Sequence, residues 1–249
     1  MIVAFVNIGM LGDVINLIFT SAFGLNATFG AIVGTAIEWG VKRGIYSNEA
    51  GQGTGPHAAA AAEVKHPAAQ GFVQAMAVYI DTLFVCSATA FLILSTGMYR
   101  VYEGGSIESP VLAEGPGGLA ENVTVGPAFA QNAFDTSIPG AGPIFIAISL
   151  AFFAFTTIIA YYYMAETNLR YLTRNLNNQV ASNVLLRCLQ LLILVATVLG
   201  CVSSSGSAWA LGDIGVGLMA WLNILGILVI QKPALQVLRD YEHQKKQGL

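Results

Sequence analysis

The sequence predicts an all-α integral membrane protein, and its composition and its apolar pattern support this fold class. Of the 249 residues, 55% are apolar and only 10% are charged, and the mean hydropathy is +0.65. Soluble domains carry about 25% charged residues, so this composition favours a chain that lies largely in lipid. Several apolar runs approach the roughly 20 residues that a helix needs to cross a bilayer. The net charge of −3 argues against a nucleic-acid-binding surface.

The chain opens with a segment, residues 1–23, that we expect to be the truncated end of a spanning helix followed by an amphipathic helix. Residues 1–12 are apolar, but they are too few to cross a bilayer. Residues 13–23 place apolar side chains at helical spacing between polar neighbours, which is typical of a helix at a membrane interface. Since Met1 leads directly into an apolar run, we expect the chain to begin inside a helix.

About five spanning helices are expected in the membrane domain, residues 24–231. They cover about residues 26–46, 69–97, 143–163, 183–202 and 209–230. A long polar loop, about residues 98–142, follows the second of these helices and is rich in glycine, proline and acidic residues. A tight polar turn at residues 203–208 separates the last two.

The basic residues predict the orientation, because they concentrate on the cytoplasmic side of membrane proteins. Successive crossings place ten of the eleven on one side: Lys42, Arg43, Lys65, Arg170, Arg174, Arg187, Lys232, Arg239, Lys245 and Lys246. Arg100 falls in the long loop, which is then extracellular. We therefore expect a multi-pass protein of the plasma (inner) membrane whose charged tail, residues 232–249, is a cytoplasmic helix at or leaving the membrane.

The central stretch, Ser47 to Pro56, reads SNEAGQGTGP and lies between two apolar segments. Its three glycines and its proline cannot form a stable helix interior. In lipid such a break is tolerated only where it is buried in protein or lines a wet cavity, and the carboxylate of Glu49 within it marks a candidate functional site. The alternative is a polar loop at the membrane surface.

Further polar groups lie inside the apolar segments. Asp81 and Thr82 fall in the middle of a predicted span, where a carboxylate needs a cavity, a cation or a hydrogen-bonded partner on a neighbouring helix. Thr156 and Thr157 lie deep in another span, where a threonine hydroxyl can also bond to a carbonyl of its own helix. Hydroxyl, carbonyl and carboxylate oxygens suit Na⁺, and the half-helix ends at a break suit a zwitterion. Together these features predict a cation-coupled transporter of a small zwitterion.

The stretch GVKRGIYSNEAGQGTGPHAAAAA, residues 40–62, closely resembles the signature of the alanine or glycine:cation symporter family, R-G-(L/F)-(F/Y)-S-N-E-A-G-x-G-(S/T). The resemblance continues through residues 66–97, returns at residues 153–172, and is weaker at residues 212–228. It implies the inverted-repeat fold of LeuT-type transporters, with two five-helix halves and a site at mid-membrane. Because family members are about twice this length, the resemblance implies a C-terminal half, and we expect a fragment.

The resemblance also implies roles for individual residues. The residues at the break would lie near the substrate, while Thr157 and Tyr161, one helical turn apart, would line the pocket. Many relatives carry tryptophan at the position of Tyr161, so the phenol here is expected to alter the size or polarity of the pocket. The expected substrate-binding residues are Asn48, Glu49, Gly51, Gln52, Gly53, Thr157 and Tyr161. The expected cation-binding residues are Ser47, Asp81, Thr82, Thr156 and Thr157; of these, Asp81 and Thr82 are chosen on physical grounds alone.

The predicted function is Na⁺- or H⁺-coupled symport of small neutral amino acids such as alanine or glycine, with no cofactor besides the coupling ion. The alternative is a non-transporting membrane half-subunit whose partner is a separate N-terminal half. An enzyme is not expected, since no nucleophile has a base within reach. A metal site is also not expected, because His57 and His66 are nine residues apart without a carboxylate at ligand spacing.

Overall fold

A computed structural model describes residues 6–23, 29–49, 51–102, 110–123, 126–175, 179–203 and 205–247. The chain divides into two compact units. The first combines Met1–Gly40 with Tyr79–Ala154, and the second combines Val41–Val78 with Phe155–Leu249.

The described residues are mostly helical. After a short 3₁₀ turn, Ile8–Met10, the helices are α1 (Leu11–Phe23), α2 (Phe29–Asn48), α3 (Gly55–Ala61), α4 (Pro67–Ile80), α5 (Ser87–Thr96), α6 (Pro127–Asp135), α7 (Gly142–Thr173), α8 (Gln179–Val202) and α9 (Ser205–Lys246). A π-helical turn, Asp81–Cys86, joins α4 to α5 without a break. Two short strands, β1 (Arg100–Tyr102) and β2 (Val111–Glu114), complete the description.

Four of these helical segments are long and apolar enough to cross a membrane: Pro67–Thr96, Gly142–Thr173, Gln179–Val202 and Gly206–Lys246. They match four of the five predicted spans. The remaining one, about residues 26–46, begins outside the described residues. Its described part, α2, has 20 residues and carries Glu38, Lys42 and Arg43, so a crossing there stays a prediction. Large apolar side chains on the four segments are exposed, among them Phe152, Leu192 and Val229, as expected where lipid covers them.

The last helix departs from the prediction at its start, because the predicted turn at residues 203–208 lies largely inside α9. At the other end, the tail after Ile230 continues the same helix to Lys246, and a helix was expected there. Pro233 lies within it, which a helix in a membrane tolerates where its surroundings satisfy the freed carbonyl. With 42 residues, α9 is about 63 Å long at about 1.5 Å per residue, so it is longer than a bilayer is thick.

The predicted polar loop at residues 98–142 contains regular structure in the first unit. Strands β1 and β2 pair antiparallel with Arg100 opposite Glu114. The Arg100 guanidinium donates to the Glu114 carboxylate, and this hydrogen bond raises the pKa of Arg100 above its ordinary value. Helix α6 begins at Pro127, a residue preorganised for the first helical turn, and packs against α5, which also contacts α1.

Candidate functional site

The break after α2 has a strained backbone. Helix α2 ends at Asn48, and Glu49 follows with a φ of +51°. Among the described residues Glu49 is the one non-glycine residue with a positive φ, while Gly51 and Gly53 have φ values of +93° and +84°. Glycine adopts this region without steric cost, whereas a side chain makes it uncommon. Such strain persists where the surrounding structure holds it, which is frequent at functional sites.

Gln52 caps the broken end of α2. Its Nε2 donates to the carbonyl oxygen of Ile45 at 2.7 Å, and its backbone N–H donates to the carbonyl oxygen of Glu49 at 3.2 Å. These bonds satisfy carbonyls that the helix end leaves without a partner. The residue is only 4% exposed, and its Oε1 is buried with no hydrogen-bond partner among the described residues.

The Glu49 carboxylate connects the break to α7. Its Oε2 accepts a hydrogen bond from Thr54 Oγ1 at 2.7 Å, and its Oε1 accepts one from the Tyr161 hydroxyl at 3.3 Å. Thr54 is 3% exposed. A carboxylate inside a membrane domain requires hydrogen-bond donors, and the hydroxyls of Thr54 and Tyr161 supply two of them.

Asn223 of α9 holds the other side of the break. Its Nδ2 donates to the carbonyl oxygen of Gly51 at 3.1 Å. A Cβ at Gly53 would lie only 3.0 Å from Asn223 Oδ1 and 3.2 Å from its Cγ. The absence of a side chain at Gly53 therefore allows the asparagine to pack directly against the backbone of the break.

These contacts frame a cleft of about 460 Å³ in the second unit. It lies between the break, one face of α7 and one face of α9, and it is lined by Gln52, Gly53, Thr54, His57, Tyr161, Met164, Ala165, Asn168, Met219, Leu222, Asn223 and Gly226. A few convergent polar groups within apolar walls are typical of a small-ligand site. The volume is at the lower end of the range for ligand pockets, about 300–1,000 Å³.

The contacts along α9 give the position of the break along that helix. The Arg43 guanidinium lies 4.4 Å from the centroid of the Trp209 ring near the start of α9, and His66 Nε2 lies 3.3 Å from Asp240 Oδ2 near its end. At about 1.5 Å per residue, Asn223 is ~21 Å from Trp209 along α9, and Asp240 is a further ~26 Å away. The break therefore lies beside the middle of α9, and that this is also the middle of the membrane stays a prediction.

The same contacts correct one step of the predicted orientation. Lys42 and Arg43 were expected on the same side of the membrane as Lys65. Arg43 contacts the start of α9, whereas His66, next to Lys65, contacts its end. The difference arises because the predicted alternation of sides treats the break as a turn at the surface, whereas the chain continues along α9 through it.

The structure brings five of the predicted substrate residues together, namely Glu49, Gly51, Gln52, Gly53 and Tyr161. Asn48 is half-buried at the end of α2 and Ser47 is exposed. Thr156 and Thr157 are exposed on α7, and neither is among the residues that line the cleft.

Asp81 and Thr82 belong to the first unit, where they begin the π-helical turn. Cys86 Sγ lies 3.6 Å from Asp81 Oδ2, and the Ser87 hydroxyl donates to the carbonyl oxygen of Thr82 at 2.9 Å. A π-helical turn within an α-helix is frequent at functional sites. The assignment of the pair to a cation stays a prediction.

Sequence reasoning did not assign four polar residues of the cleft, namely Thr54, His57, Asn168 and Asn223. The available signal was strongest for Asn223, a lone amide within an apolar run, since polar groups inside spans are expensive and tend to be functional. For His57 and Asn168 no pattern in the sequence indicates that their side chains meet, at 3.5 Å.

Comparison with known proteins identifies relatives over the whole chain. A model described as the sodium:alanine symporter family matches residues 1–249. A putative sodium/proton-dependent alanine carrier protein of Bacillus subtilis is 55% identical over 251 residues, covering 100% of this chain and 49% of the relative. A sodium/proton-dependent alanine carrier protein of Bacillus sp. (strain PS3) is 52% identical, covering 97% of this chain and 52% of the relative. A probable sodium/glutamine symporter of Bacillus subtilis is 35% identical, covering 99% of this chain and 46% of the relative.

The chain thus spans about half the length of the curated relatives it matches, and that it corresponds to their second half stays a prediction. No solved structure matches it. The family is one of transporters, which confirms the expectation that the chain is not an enzyme, and the apolar helices agree with a multi-pass membrane protein. A non-transporting subunit with a separate N-terminal partner is not favoured, because the matched relatives are themselves named as carriers.

Proposed function

Since the chain belongs to the sodium:alanine symporter family, we propose that it contributes an amino-acid-binding site to the cation-coupled symport of small neutral amino acids. Alanine is the first candidate substrate and glycine the second, and the coupling ion is Na⁺ or H⁺. The names of two relatives as sodium/proton-dependent alanine carriers support this choice. The proposed site is the cleft between the break, α7 and α9.

The observation that carries the proposal is the side-chain oxygen of Gln52, which has no hydrogen-bond partner among the described residues. An amino acid in solution is a zwitterion, and its ammonium group needs acceptors when it leaves water. Gln52 lines the cleft and uses its amide nitrogen to cap α2, so its buried Oε1 is left as an acceptor beside the cleft. An ammonium placed against it would satisfy both groups.

The apolar wall of the cleft suits a small side chain. Met164 and Ala165 come from α7, and Met219 and Leu222 from α9. A methyl group packed there gains roughly 0.8 kcal/mol per buried carbon, whereas a charged side chain would lose its hydration without a partner. This combination supports a neutral substrate.

The coupling ion is proposed to bind oxygen ligands outside this apolar wall. Ser47, Thr156 and Thr157 in the second unit, and Asp81 and Thr82 in the first, remain the candidates. In symport, the ion and the amino acid stabilise the same state of the protein, so each raises the affinity for the other. The ion dependence of alanine binding therefore identifies the ion.

The wider architecture is proposed to be that of a LeuT-type inverted repeat. The interrupted course of α2, the break and α3 alongside α9 supports it, since transporters of that kind bind substrate at discontinuous helices near the midplane. A plasma-membrane location with a cytoplasmic C-terminus is also proposed. Arg239, Lys245 and Lys246 near the end of α9 support that orientation.

The test is equilibrium binding of radiolabelled alanine to the purified chain in lipid nanodiscs, with NaCl or choline chloride and at two pH values. We expect saturable binding that is strengthened by Na⁺ or by protons. Gln52→Leu is expected to weaken it at least tenfold, whereas Gln231→Leu, an exposed amide of α9, is expected to leave it unchanged. Propionate, which lacks the ammonium group, is expected not to compete. No saturable binding under either ion would overturn the proposal.

A further inference from the structure

Asn223 is the residue through which α9 reaches the break. It lies in the middle of α9, 172 positions along the chain from Gly51, and its Nδ2 donates to the Gly51 carbonyl oxygen at 3.1 Å. This carbonyl belongs to a turn outside the helices, so no helical N–H is available to it. The Asn223 amide supplies a donor from α9 and ties the turn to that helix.

The second contact of Asn223 is steric. Its Oδ1, Cγ and Cβ lie 3.0, 3.2 and 3.4 Å from the position that a Cβ on Gly53 would occupy. The first two distances are tighter than most Cβ contacts, so a side chain at Gly53 would push the asparagine away by a few tenths of an ångström, in addition to straining the backbone at its φ of +84°. Gln52 lies between the two contacts, so Asn223 touches the backbone on both sides of it.

Asn223 is also a wall residue of the cleft, between Leu222 and Gly226 on the same face of α9. The side chain that fixes the turn thus also limits the space beside it. Removing the amide beyond Cβ would free the Gly51 carbonyl and enlarge the cleft at the same point.

From these contacts we propose that Asn223 is a positioning and specificity-determining residue: it holds the Gly51–Gly53 turn so that Gln52 faces the substrate, and it restricts the cleft to small side chains. The inference rests on the proposed function for its specificity part. Its positioning part concerns the backbone of the break alone and does not depend on any substrate.

The positioning part is tested by hydrogen–deuterium exchange of the purified chain in nanodiscs. Asn223→Ala is expected to raise the exchange rates of the backbone amides of Gly51–Thr54 at least tenfold, because their turn loses its anchor. The matched control is Gln231→Ala, an amide on the same helix whose Nε2 bonds locally to the carbonyl oxygen of Leu228. Equal exchange at the break in wild type and Asn223→Ala overturns the inference, whether or not alanine binds.

The specificity part is tested by competition of glycine, alanine and leucine for radiolabelled alanine. Asn223→Ala is expected to weaken alanine binding and to shift the alanine-to-leucine affinity ratio about tenfold towards leucine. A merely structural role would weaken both ligands equally and leave the ratio unchanged, which contradicts the inference. Absence of alanine binding by the wild-type chain would instead count against the proposed function, and the exchange experiment separates the two failures.

A double-mutant cycle measures the energetic coupling between Asn223 and Gly53. Gly53→Ala places a methyl group against Asn223 Oδ1 and also strains the backbone, so it is expected to weaken alanine binding in the wild-type background. In the Asn223→Ala background the steric part disappears while the backbone strain remains, so the loss is expected to be at least threefold smaller. Additive losses, as found for residues that do not touch, would contradict the direct packing on which the inference depends.

Discussion

The Tyr161 hydroxyl donates a hydrogen bond to Glu49 Oε1 at 3.3 Å, across 112 positions of the chain. This bond connects α7 to the one non-glycine residue of the described chain with a positive φ. It places the carboxylate of the break between two hydroxyls, since Thr54 occupies the other oxygen. Glu49 thereby acts as a connection between the break and α7 as well as a candidate site residue.

Tyr161→Phe removes that hydroxyl and keeps the ring. Because hydrogen bonds to charged groups contribute about 1.5–3 kcal/mol, and this one is long, we expect alanine affinity to fall by roughly three- to tenfold. Equilibrium binding of radiolabelled alanine measures the change. Tyr163→Phe, on the same helix but outside the lining of the cleft, is the control. Equal affinities for the two variants would contradict the proposed role of the hydroxyl.

Thr54→Val removes the closer of the two donors to Glu49. The carboxylate is then left with one partner in a half-buried position, which is expected to destabilise the protein by about 1–3 kcal/mol. Thr54→Ser keeps the hydroxyl and is expected to stay near wild type. Thermal unfolding in detergent, followed by circular dichroism, checks both. A valine variant as stable as the serine variant would show that the bond at 2.7 Å contributes nothing.

His66 joins the start of α4 to the end of α9. Its Nδ1 accepts from the backbone N–H of Ala68 at 3.2 Å, its Nε2 faces Asp240, and its ring lies 5.1 Å from that of Tyr241. We expect His66→Ala to cost about 1 kcal/mol through the lost cap and to raise protease sensitivity after residue 235. His66→Asn, which can still cap, is expected to restore stability but not the contact with Tyr241. Unchanged proteolysis in His66→Ala would show that the end of α9 is held elsewhere.

The ion pair between Arg100 and Glu114 in the first unit gives a prediction about how stability depends on pH. The pKa of Arg100 is raised above an already high ordinary value. The stabilisation of the folded state that comes from this shift is therefore fully present at any pH below the ordinary pKa, and it is lost only in strong alkali. The contribution of Arg100 to stability is therefore expected to be constant between pH 6 and 9. Comparing the thermal midpoints of wild type and Arg100→Gln across that interval tests this. A difference that changes with pH would point to another titrating group.

The sequence predicts the helices better than it predicts the contacts between them. The apolar runs predict the four candidate spans, because length and hydropathy are local properties. The break is predicted for the same reason, since glycine and proline exclude a helix interior. The long loop was described less well, because a two-stranded hairpin of three and four residues leaves little periodic signal.

The long-range partners could not be read from the sequence. Nothing local indicates that Asn223 would meet Gly51, or that Tyr161 would meet Glu49, since both pairs depend on how α7 and α9 pack beside the break. For the same reason the sequence predicts Arg43 on the same side of the membrane as Lys65, whereas Arg43 contacts the start of α9 and His66, next to Lys65, contacts its end. The resemblance of residues 40–62 to a family signature indicates the break and Gln52 as candidates, but not that the Gln52 Oε1 has no partner among the described residues.

The most direct measurement of the central claim is alanine protection of a cysteine placed in the cleft. In a background where Cys86, Cys188 and Cys201 are serine, Ala165→Cys lies in the lining of the cleft and Ala160→Cys lies on the same helix at an exposed position. If the cleft binds the substrate, alanine slows the reaction of Ala165→Cys with a small maleimide several-fold and leaves that of Ala160→Cys unchanged. Equal rates with and without alanine at both positions would contradict the assignment of the cleft as the amino-acid site.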